Sequence, residues 1–184
     1  LGDFGLYFKQ NFYRGSVRIP YMISYPEKVP QGLVTERLAG LQDLLPTLMK
    51  LTGQPLDCGV DGRDLSPVLF EDKPVREFFV SQCRDGKHQQ YMVADEELKY
   101  IYHVYGGVEE LYHLSEDPRE LNNLSESGIN EHADVKRRMN KYLTDWCIEN
   151  GDDDMIENGK LAFVQKDENM KLPGRNNVFG RRFY

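Results

Sequence analysis

The sequence lacks the features that identify several common protein classes. Its 184 residues contain only three cysteines, Cys58, Cys83 and Cys147, and none belongs to a CxxC pair. This spacing excludes a zinc knuckle or a redox dithiol, and we expect buried or half-buried free thiols with at most one disulfide. No apolar run approaches the roughly 18 residues that a membrane-spanning helix requires, and no signal peptide is visible. The sequence therefore predicts no membrane partner.

Basic residues and familiar catalytic motifs are also scarce. The chain has 23 lysines and arginines against 30 aspartates and glutamates, which gives a net charge of −7. Because nucleic-acid binding needs a basic face, we predict no nucleic-acid partner. The sequence has no Ser-His-Asp grouping, phosphate loop or dinucleotide-binding glycine pattern. Its four histidines show neither HxH nor HExxH spacing, so we predict no metal site within this chain.

The first twenty residues, LGDFGLYFKQNFYRGSVRIP, contain an isolated lysine among glycines and aromatic residues. Lys9 is the only basic residue in the first 13 positions. One ammonium group in such a place could neutralise an anionic oxygen during sulfuryl or phosphoryl transfer, although an exposed surface lysine is the plain alternative. The following run YMISYP, residues 21–26, predicts a buried strand. A single strand leaves its backbone groups unpaired, so it must join a later sheet or a sheet outside this chain.

The rest of the chain predicts an α+β fold. Apolar residues at helical spacing predict a helix over residues 41–53, with Asp43 as its cap and Gly53 as its end. Turn residues then separate short apolar runs, which predict an antiparallel meander of about four strands. These strands span residues 77–83, 90–95, 99–105 and 110–114. A second helix over residues 131–151 presents one apolar stripe, suited to covering one face of the meander.

Three collinear blocks resemble the type I sulfatases of the alkaline-phosphatase superfamily. The opening LGDFGLYFKQNFYRGSVRIPYMISYP is similar to the family pattern LGDHGLxxKxxxYEGxVRxPLIISxP. The blocks LQDLLPTLMKLTGQPLDCGVDGRDLSPVL and ELKYIYHVYGGVEELYHLSEDPRELNNL match two further family segments in the same order. The resemblance covers residues 1 to about 124, and its ELY-L--DP-E--NL element is highly specific.

The resemblance implies that this chain corresponds to the C-terminal part of such an enzyme. The family uses a formylglycine nucleophile, made from Cys or Ser in a C/S-x-P-S/A-R motif, and Ca²⁺ bound by residues that precede the region matched here. None of the three cysteines lies in that motif. We therefore expect the nucleophile and the calcium ligands to lie upstream, in a missing N-terminal part that would be this chain's partner. The chain alone is then expected to be inactive.

The same resemblance predicts a domain arrangement, a substrate class and a location. Residues 1–74 would be the tail end of the large α/β sulfatase domain. Residues 75–151 would form a small subdomain in which a four-stranded antiparallel sheet is packed by a C-terminal helix, and residues 152–184 an extended arm. The parent enzyme would hydrolyse the sulfate ester of a small molecule or glycan, in the periplasm, outside the cell or in a lysosome.

Site residues follow from the match position by position. Lys9 corresponds to the family lysine that contacts the sulfate-ester oxygens. Phe4 stands where many members have His, and Arg14 where they usually have Glu, so both are candidates for substrate binding. His103 is a third candidate, although a hydrogen-bonded, half-buried histidine is its plain interpretation. Two further departures, Ala94 for Arg and His113 for Asp, are expected to affect subdomain packing or the substrate rim.

Two other functions remain compatible with these residues. The chain could be a non-catalytic module that binds glycans or a protein partner. It could also belong to a phosphonate or phosphodiester hydrolase of the same superfamily. The identity of the upstream nucleophile, Cys or Ser against Thr, would distinguish the sulfatase from the latter.

Overall fold

A computed structural model describes residue 4, residues 10–126 and residues 132–166 of the chain. The chain divides into two compact units, the first made of Leu1–Ile19 with Val80–Tyr184 and the second of Pro20–Phe79. In the described part of the chain, no helix combines the length and the apolar character needed to cross a membrane.

The described elements are short, apart from one long helix near the end. The described residues form four α-helices, in chain order α1 (Arg14–Val17), α2 (Leu44–Thr52), α3 (Ser66–Glu71) and α4 (Ala133–Glu149). The strands are β1 (Phe79–Cys83), β2 (Gln90–Ala94), β3 (Leu98–His103), β4 (Val108–His113), β5 (Ile156–Glu157) and β6 (Lys160–Leu161). Among the described residues, 3₁₀ turns also span Leu41–Asp43, Gly86–His88 and Asp153–Met155.

Strands β1 to β4 form one sheet in sequential order, which confirms the predicted meander. Strands β2 and β3 pair antiparallel with Met92 opposite Ile101, and β3 and β4 pair antiparallel with Ile101 opposite Glu110. Because side chains alternate along a strand, this register defines two faces. The first face carries Tyr91, Val93, Tyr100, Tyr102, Glu109 and Leu111, and the second carries Met92, Ala94, Lys99, Ile101, His103, Glu110 and Tyr112.

Helix α4 covers the first face, as its apolar stripe predicted. Its buried residues are Met139, Leu143 and Cys147, and the Trp146 ring lies edge-on to Tyr91 with 6.5 Å between the ring centroids. The helix ends where Gly151 adopts a left-handed φ of +71°, a conformation that glycine accepts without steric cost. Burying this stripe provides most of the stabilisation of such a helix.

The second face is covered by residues near the start of the chain, an arrangement that the sequence patterns did not predict. Phe12 and Tyr13 are buried, and Lys99 on β3 donates to the carbonyl of Phe12 at 3.0 Å. Residues from both ends of the matched region therefore share one core. Strands β2 and β3 are consequently buried on both faces over most of their length.

The segment after α4 is more ordered than the extended arm predicted for residues 152–184. Strands β5 and β6 form a hairpin, with Asn158 and Gly159 both at positive φ in its turn. Met155, just before this hairpin, and Leu161 on β6 are buried, and β5 contacts α4. Residues 167–184 of the predicted arm lie outside the described residues.

In the second unit, α2 confirms the predicted helix, and Gly53 ends it at a φ of +72°. Asp43 does not cap α2 through its side chain, contrary to prediction. Its buried carboxylate instead accepts the backbone N–H of Gly40 at 2.7 Å and that of Arg63 at 2.8 Å. The chain passes so closely at Gly62 that a Cβ would lie 1.8 Å from the carbonyl oxygen of Gln42. Only glycine fits at that crossing.

Two further sequence predictions were wrong. Residues 21–26 form no strand, and Met22 within them is 89% exposed. A strand requires a hydrogen-bonding neighbour, and these residues join neither of the two sheets in the described part of the chain. The predicted burial of all three cysteines fails at Cys58, which is exposed, whereas Cys83 is half-buried and Cys147 buried; all three are free thiols.

Candidate functional site

Of the predicted site residues, the structure describes Phe4, Arg14 and His103, which lie in or near one short segment, residues 10–14. Lys9 lies outside the described residues, immediately before this segment. The Phe4 ring stacks on Tyr13 with 4.5 Å between centroids. Nη1 of Arg14 donates a hydrogen bond to the carbonyl oxygen of Pro118 at 3.2 Å. His103 and Tyr13 share the carboxylate of Glu110.

Glu110 is a buried carboxylate that three side chains approach. Tyr13 donates its hydroxyl to Oε2 at 2.9 Å, and Tyr112 donates to the same oxygen at 2.5 Å. Nε2 of His103 lies 2.7 Å from Oε1. Burial by itself would raise the pKa of Glu110, but the His103, Tyr112 and Tyr13 contacts lower the pKa below its usual value. Glu110 is therefore ionised at neutral pH and joins strand β4 to Tyr13.

A second buried carboxylate lies beside Arg14. Glu120 accepts the backbone N–H of Arg14 at 2.7 Å and forms an ion pair with Lys99. Both charged side chains are at least 95% buried. Burial lowers the pKa of Lys99, and the Glu120 carboxylate opposes that shift. The ammonium of Lys99 also binds the carbonyl of Phe12, so one ion pair holds two backbone groups of the segment.

Arg84 binds the beginning of the segment. Its Nε and Nη2 donate to the carbonyl of Gln10 at 3.0 and 2.7 Å. Within the segment, Oδ1 of Asn11 accepts the backbone N–H of Tyr13 at 3.1 Å and the hydroxyl of Ser16 at 2.9 Å. We call Arg84, Lys99, Glu110 and Glu120 the anchor cluster, because each of them bonds directly to residues 10–14.

Unusual backbone conformations accompany these contacts. Five described residues other than glycine have positive φ, and three of them, Phe4, Arg84 and Glu120, contact residues 10–14. Left-handed φ is disfavoured for residues with a Cβ, and such strain persists only where the surroundings impose it. The chain thus adopts disfavoured conformations at three of the positions that contact this segment.

The ELYHLSEDPRELNNL block folds into the turn that supports Glu120. Oδ2 of Asp117 accepts the backbone N–H of Asn122 at 2.7 Å. Oδ1 of Asn123 accepts the N–H of Leu111 at 2.9 Å, and Leu124 donates its N–H to the Leu111 carbonyl at 2.9 Å. The turn is therefore tied to the edge of β4, which fixes the place of the Glu120 carboxylate.

Sequence reasoning missed the anchor cluster, although one signal was present. Lys99 and Glu110 occur inside runs that are otherwise apolar or aromatic, and charged residues are buried in such strands only when they are paired. Of the two departures expected to affect packing, Ala94 is buried opposite Lys99 at the end of β2. Nδ1 of His113 lies 3.3 Å from the hydroxyl of Ser115.

The described residues do not fit a calcium site. Among residues 4, 10–126 and 132–166, no three Asp, Glu, His or Cys side chains come together as metal ligands would. Calcium requires six to eight oxygen ligands. None of these residues is therefore assigned as a calcium ligand.

Comparison with known proteins finds relatives among the sulfatases. The chain is 24% identical to an N-acetylglucosamine-6-O-sulfatase of Bacteroides thetaiotaomicron over 89% of its length, and 34% identical to a choline-sulfatase of Rhizobium meliloti over 69%. It spans 31% and 25% of those two proteins, respectively. The solved structure of a 2-O GAG sulfatase matches 66% of this chain and 27% of its own, with a TM-score of 0.54 and 26% identity.

A family model also matches most of the chain. The model described as N-sulphoglucosamine sulphohydrolase, C-terminal, matches residues 2–149. This range includes residues 10–14 and every member of the anchor cluster. The resemblance to the sulfatases of the alkaline-phosphatase-like superfamily is thereby confirmed, as are the α+β fold and the correspondence to the C-terminal part of these enzymes. The chain belongs to the C-terminal family of N-sulphoglucosamine sulphohydrolase and related sulfatases.

Proposed function

We propose that this chain serves as the C-terminal part of an enzyme that hydrolyses sulfate esters of a carbohydrate. The observation that carries the proposal is the family match over residues 2–149, which extends through the segment next to Lys9. Two sulfatases that resemble the chain are named for sulfated sugars, as an N-acetylglucosamine-6-O-sulfatase and a 2-O GAG sulfatase. Because another relative is named a choline-sulfatase, the sulfate ester of a small molecule is the second candidate substrate.

The proposed chemistry gives Lys9 one electrostatic role. Hydrolysis adds water across the sulfate ester and releases the alcohol and sulfate as the S–O bond breaks. An ammonium beside the sulfate oxygens neutralises charge in the transition state, and such preorganised groups account for a large share of catalysis. The family resemblance implies a formylglycine nucleophile and Ca²⁺. The formylglycine would be made from a residue upstream of those described here, and upstream residues would bind the Ca²⁺. Phe4, Arg14 and His103 would then contribute to the substrate rim.

The proposed partner is the upstream part of a sulfatase. The apolar side chains Leu41, Leu44, Leu45 and Leu48 on and beside α2 are between 42% and 66% exposed. A cluster of this kind usually marks a surface that another element covers. The chain spans only 31% of the N-acetylglucosamine-6-O-sulfatase and 25% of the choline-sulfatase. We propose that the upstream part of such an enzyme covers these leucines. The complete protein would act in the periplasm, outside the cell or in a lysosome.

Substitution of Lys9 tests the proposed chemistry. In the full-length protein that contains this chain, Lys9→Gln should lower kcat for an N-acetylglucosamine 6-sulfate ester by about 10²- to 10³-fold, the usual cost of removing one group that stabilises transition-state charge. Steady-state kinetics with this ester and with 4-nitrophenyl sulfate would measure the change. Lys160→Gln is the matched control, because Lys160 is exposed on β6 and should leave kcat unchanged.

Two results would contradict the proposal. Hydrolysis of a phosphonate monoester in preference to every sulfate ester would favour the phosphonate hydrolase alternative. Glycan binding by the 184-residue chain without any turnover by the full-length protein would favour a non-catalytic module. The chain by itself should not hydrolyse 4-nitrophenyl sulfate, since the proposed nucleophile lies upstream.

A further inference from the structure

We propose that Lys99, Glu110 and Glu120 are positioning residues, which hold residues 10–14 in one conformation and so set the place of the lysine that precedes them. The inference deepens the proposed function and rests on it, because the purpose of the arrangement depends on Lys9 acting on a sulfate ester. The three residues come from strand β3, strand β4 and the turn that follows β4. Through these three residues, the four-stranded sheet and the turn after it fix the conformation of residues 10–14.

The contacts bind the segment at nearly every residue. The Gln10 carbonyl is held by Arg84, the Phe12 carbonyl by Lys99 and the Arg14 N–H by Glu120. The Tyr13 hydroxyl is held by Glu110. Three of these four bonds go to the backbone, so they restrict the path of the chain and not merely the orientation of a side chain.

Burying the charged side chains of the anchor cluster carries a large desolvation penalty. Taking charges out of water costs several kcal/mol per ion, and well-packed apolar residues in the place of a buried pair are often at least as stable. Lys99, Glu110 and Glu120 are each at least 96% buried, and Glu120 also has a disfavoured φ of +58°. Strain and buried charge that stability does not require are found where geometry serves a function.

A fixed backbone next to a catalytic group increases the rate of the reaction, because it holds that group near its productive position. Catalytic groups act efficiently only when held near the productive geometry, and a displacement of 1 Å can cost about 10²-fold in rate. Lys9 has a long, flexible side chain, so the position of its Cα limits where the ammonium can lie. Bonds at residues 10, 12, 13 and 14 fix the backbone that immediately follows Lys9 in the chain.

Amide hydrogen exchange in the 184-residue chain tests the anchoring directly. Tyr13→Phe removes one hydroxyl bond between the segment and Glu110, whereas Tyr112→Phe removes a bond to the same carboxylate from within β4. Bonds to charged groups contribute enough that exchange in peptides covering residues 10–18 should rise about 10-fold or more in Tyr13→Phe. Exchange in these peptides should change less in Tyr112→Phe.

A matched pair of glutamates extends the comparison. Glu110→Gln should increase exchange in residues 10–18, because the neutral amide binds Tyr13 and His103 more weakly. Its neighbour Glu109 lies on the other face of β4, where it bonds to Tyr100 and Lys136. Glu109→Gln should leave exchange in the segment unchanged. Equal exchange in all four variants and the unmodified chain would overturn the inference.

A double-mutant cycle in the full-length protein separates positioning from a merely structural role. Tyr13→Phe should lower kcat by about 10-fold with a smaller change in KM. In the Lys9→Gln background the same substitution should have little further effect, because the group that it positions is gone. Glu109→Gln serves as the control and should leave kcat unchanged.

The outcomes distinguish this inference from the proposed function. A tenfold loss on Tyr13→Phe in both backgrounds would show a structural role and overturn the inference. If the full-length protein hydrolyses no sulfate ester, the proposed function fails and the catalytic purpose of the cluster fails with it. The exchange experiment still decides in that case whether the cluster holds residues 10–14.

Discussion

At the scale of single residues, Asp43 shows most clearly how a buried charge organises the second unit. Its fully buried carboxylate binds both Nη atoms of Arg76, at 2.6 and 2.5 Å, besides the two backbone N–H groups of Gly40 and Arg63. Burial would raise the pKa of Asp43, but the hydrogen bonds from Arg76, Arg63 and Gly40 lower the pKa below its usual value. The ionised form is thus part of the folded structure.

Removing the arginine should therefore be costly. Arg76→Met leaves the Asp43 carboxylate buried without its cation, and losing one partner of a buried pair typically destabilises by about 3–5 kcal/mol. Chemical unfolding of the 184-residue chain, followed by circular dichroism, would measure this loss. Arg37→Met is the matched control: Arg37 pairs with the exposed carboxylate of Asp72, so the loss should stay below about 1 kcal/mol.

The loss of stability caused by Arg76→Met should depend on pH. With its pKa lowered, Asp43 stabilises the native protein above its unfolded pKa of about 3.9, and this contribution is lost as the pH falls through the folded value. Without Arg76, burial favours the protonated carboxyl. The difference in stability between Arg76→Met and the unmodified chain should therefore shrink as the pH is lowered from 7 towards 4. A difference independent of pH would mean that lost packing, not charge, causes the effect.

At the scale of elements, α4 is stabilised mainly by its contact with the first face of the sheet. Leu143 is completely buried, whereas Ile148 on the same helix is 56% exposed. Leu143→Ala should destabilise the first unit by about 2–5 kcal/mol, through lost burial and the cavity that remains. Ile148→Ala should change stability by less than about 0.5 kcal/mol. Fluorescence of Trp146, which packs on Tyr91, would follow the unfolding; equal losses in the two variants would contradict the assignment of the buried stripe.

Local patterns predicted the elements well, and long-range contacts account for what they missed. The strands β1 to β4 and the helices α2 and α4 were predicted because alternation, helical spacing and turn residues are properties of neighbouring positions. The contact of Tyr13 with Glu110 joins residues 97 positions apart, and no periodicity contains that information. The run at residues 21–26 has the composition of a strand but forms none, because composition does not supply a neighbouring strand.

The site was predictable to a different degree. Similarity to a family pattern singled out Lys9, Phe4, Arg14 and His103, while the buried charges that hold the neighbouring backbone went unrecognised. Glu110 and Glu120 look like ordinary acidic residues in a chain with 30 of them. Their burial depends on tertiary packing, and only the folded arrangement reveals it.

At the scale of the whole molecule, the exposed leucines of α2 connect the chain to its proposed upstream partner. Leu45 and Leu48 are 47% and 44% exposed, and covering the remainder would contribute on the order of 1 kcal/mol each. In the full-length protein, Leu45→Gln combined with Leu48→Gln should lower the free energy of unfolding by about 2 kcal/mol. In the 184-residue chain alone, the same substitutions should reduce self-association, since they remove apolar surface that nothing covers.

Sedimentation of the chain alone and unfolding of the full-length protein measure these two effects. Leu121→Gln is the matched control, because Leu121 is 64% exposed in the first unit and has no proposed partner. It should change neither quantity appreciably. If the double substitution leaves the full-length protein as stable as before, the leucines remain in solvent there, and the upstream part of the enzyme does not cover α2. If it destabilises the full-length protein but not the chain alone, the loss arises from a surface that only the complete enzyme buries.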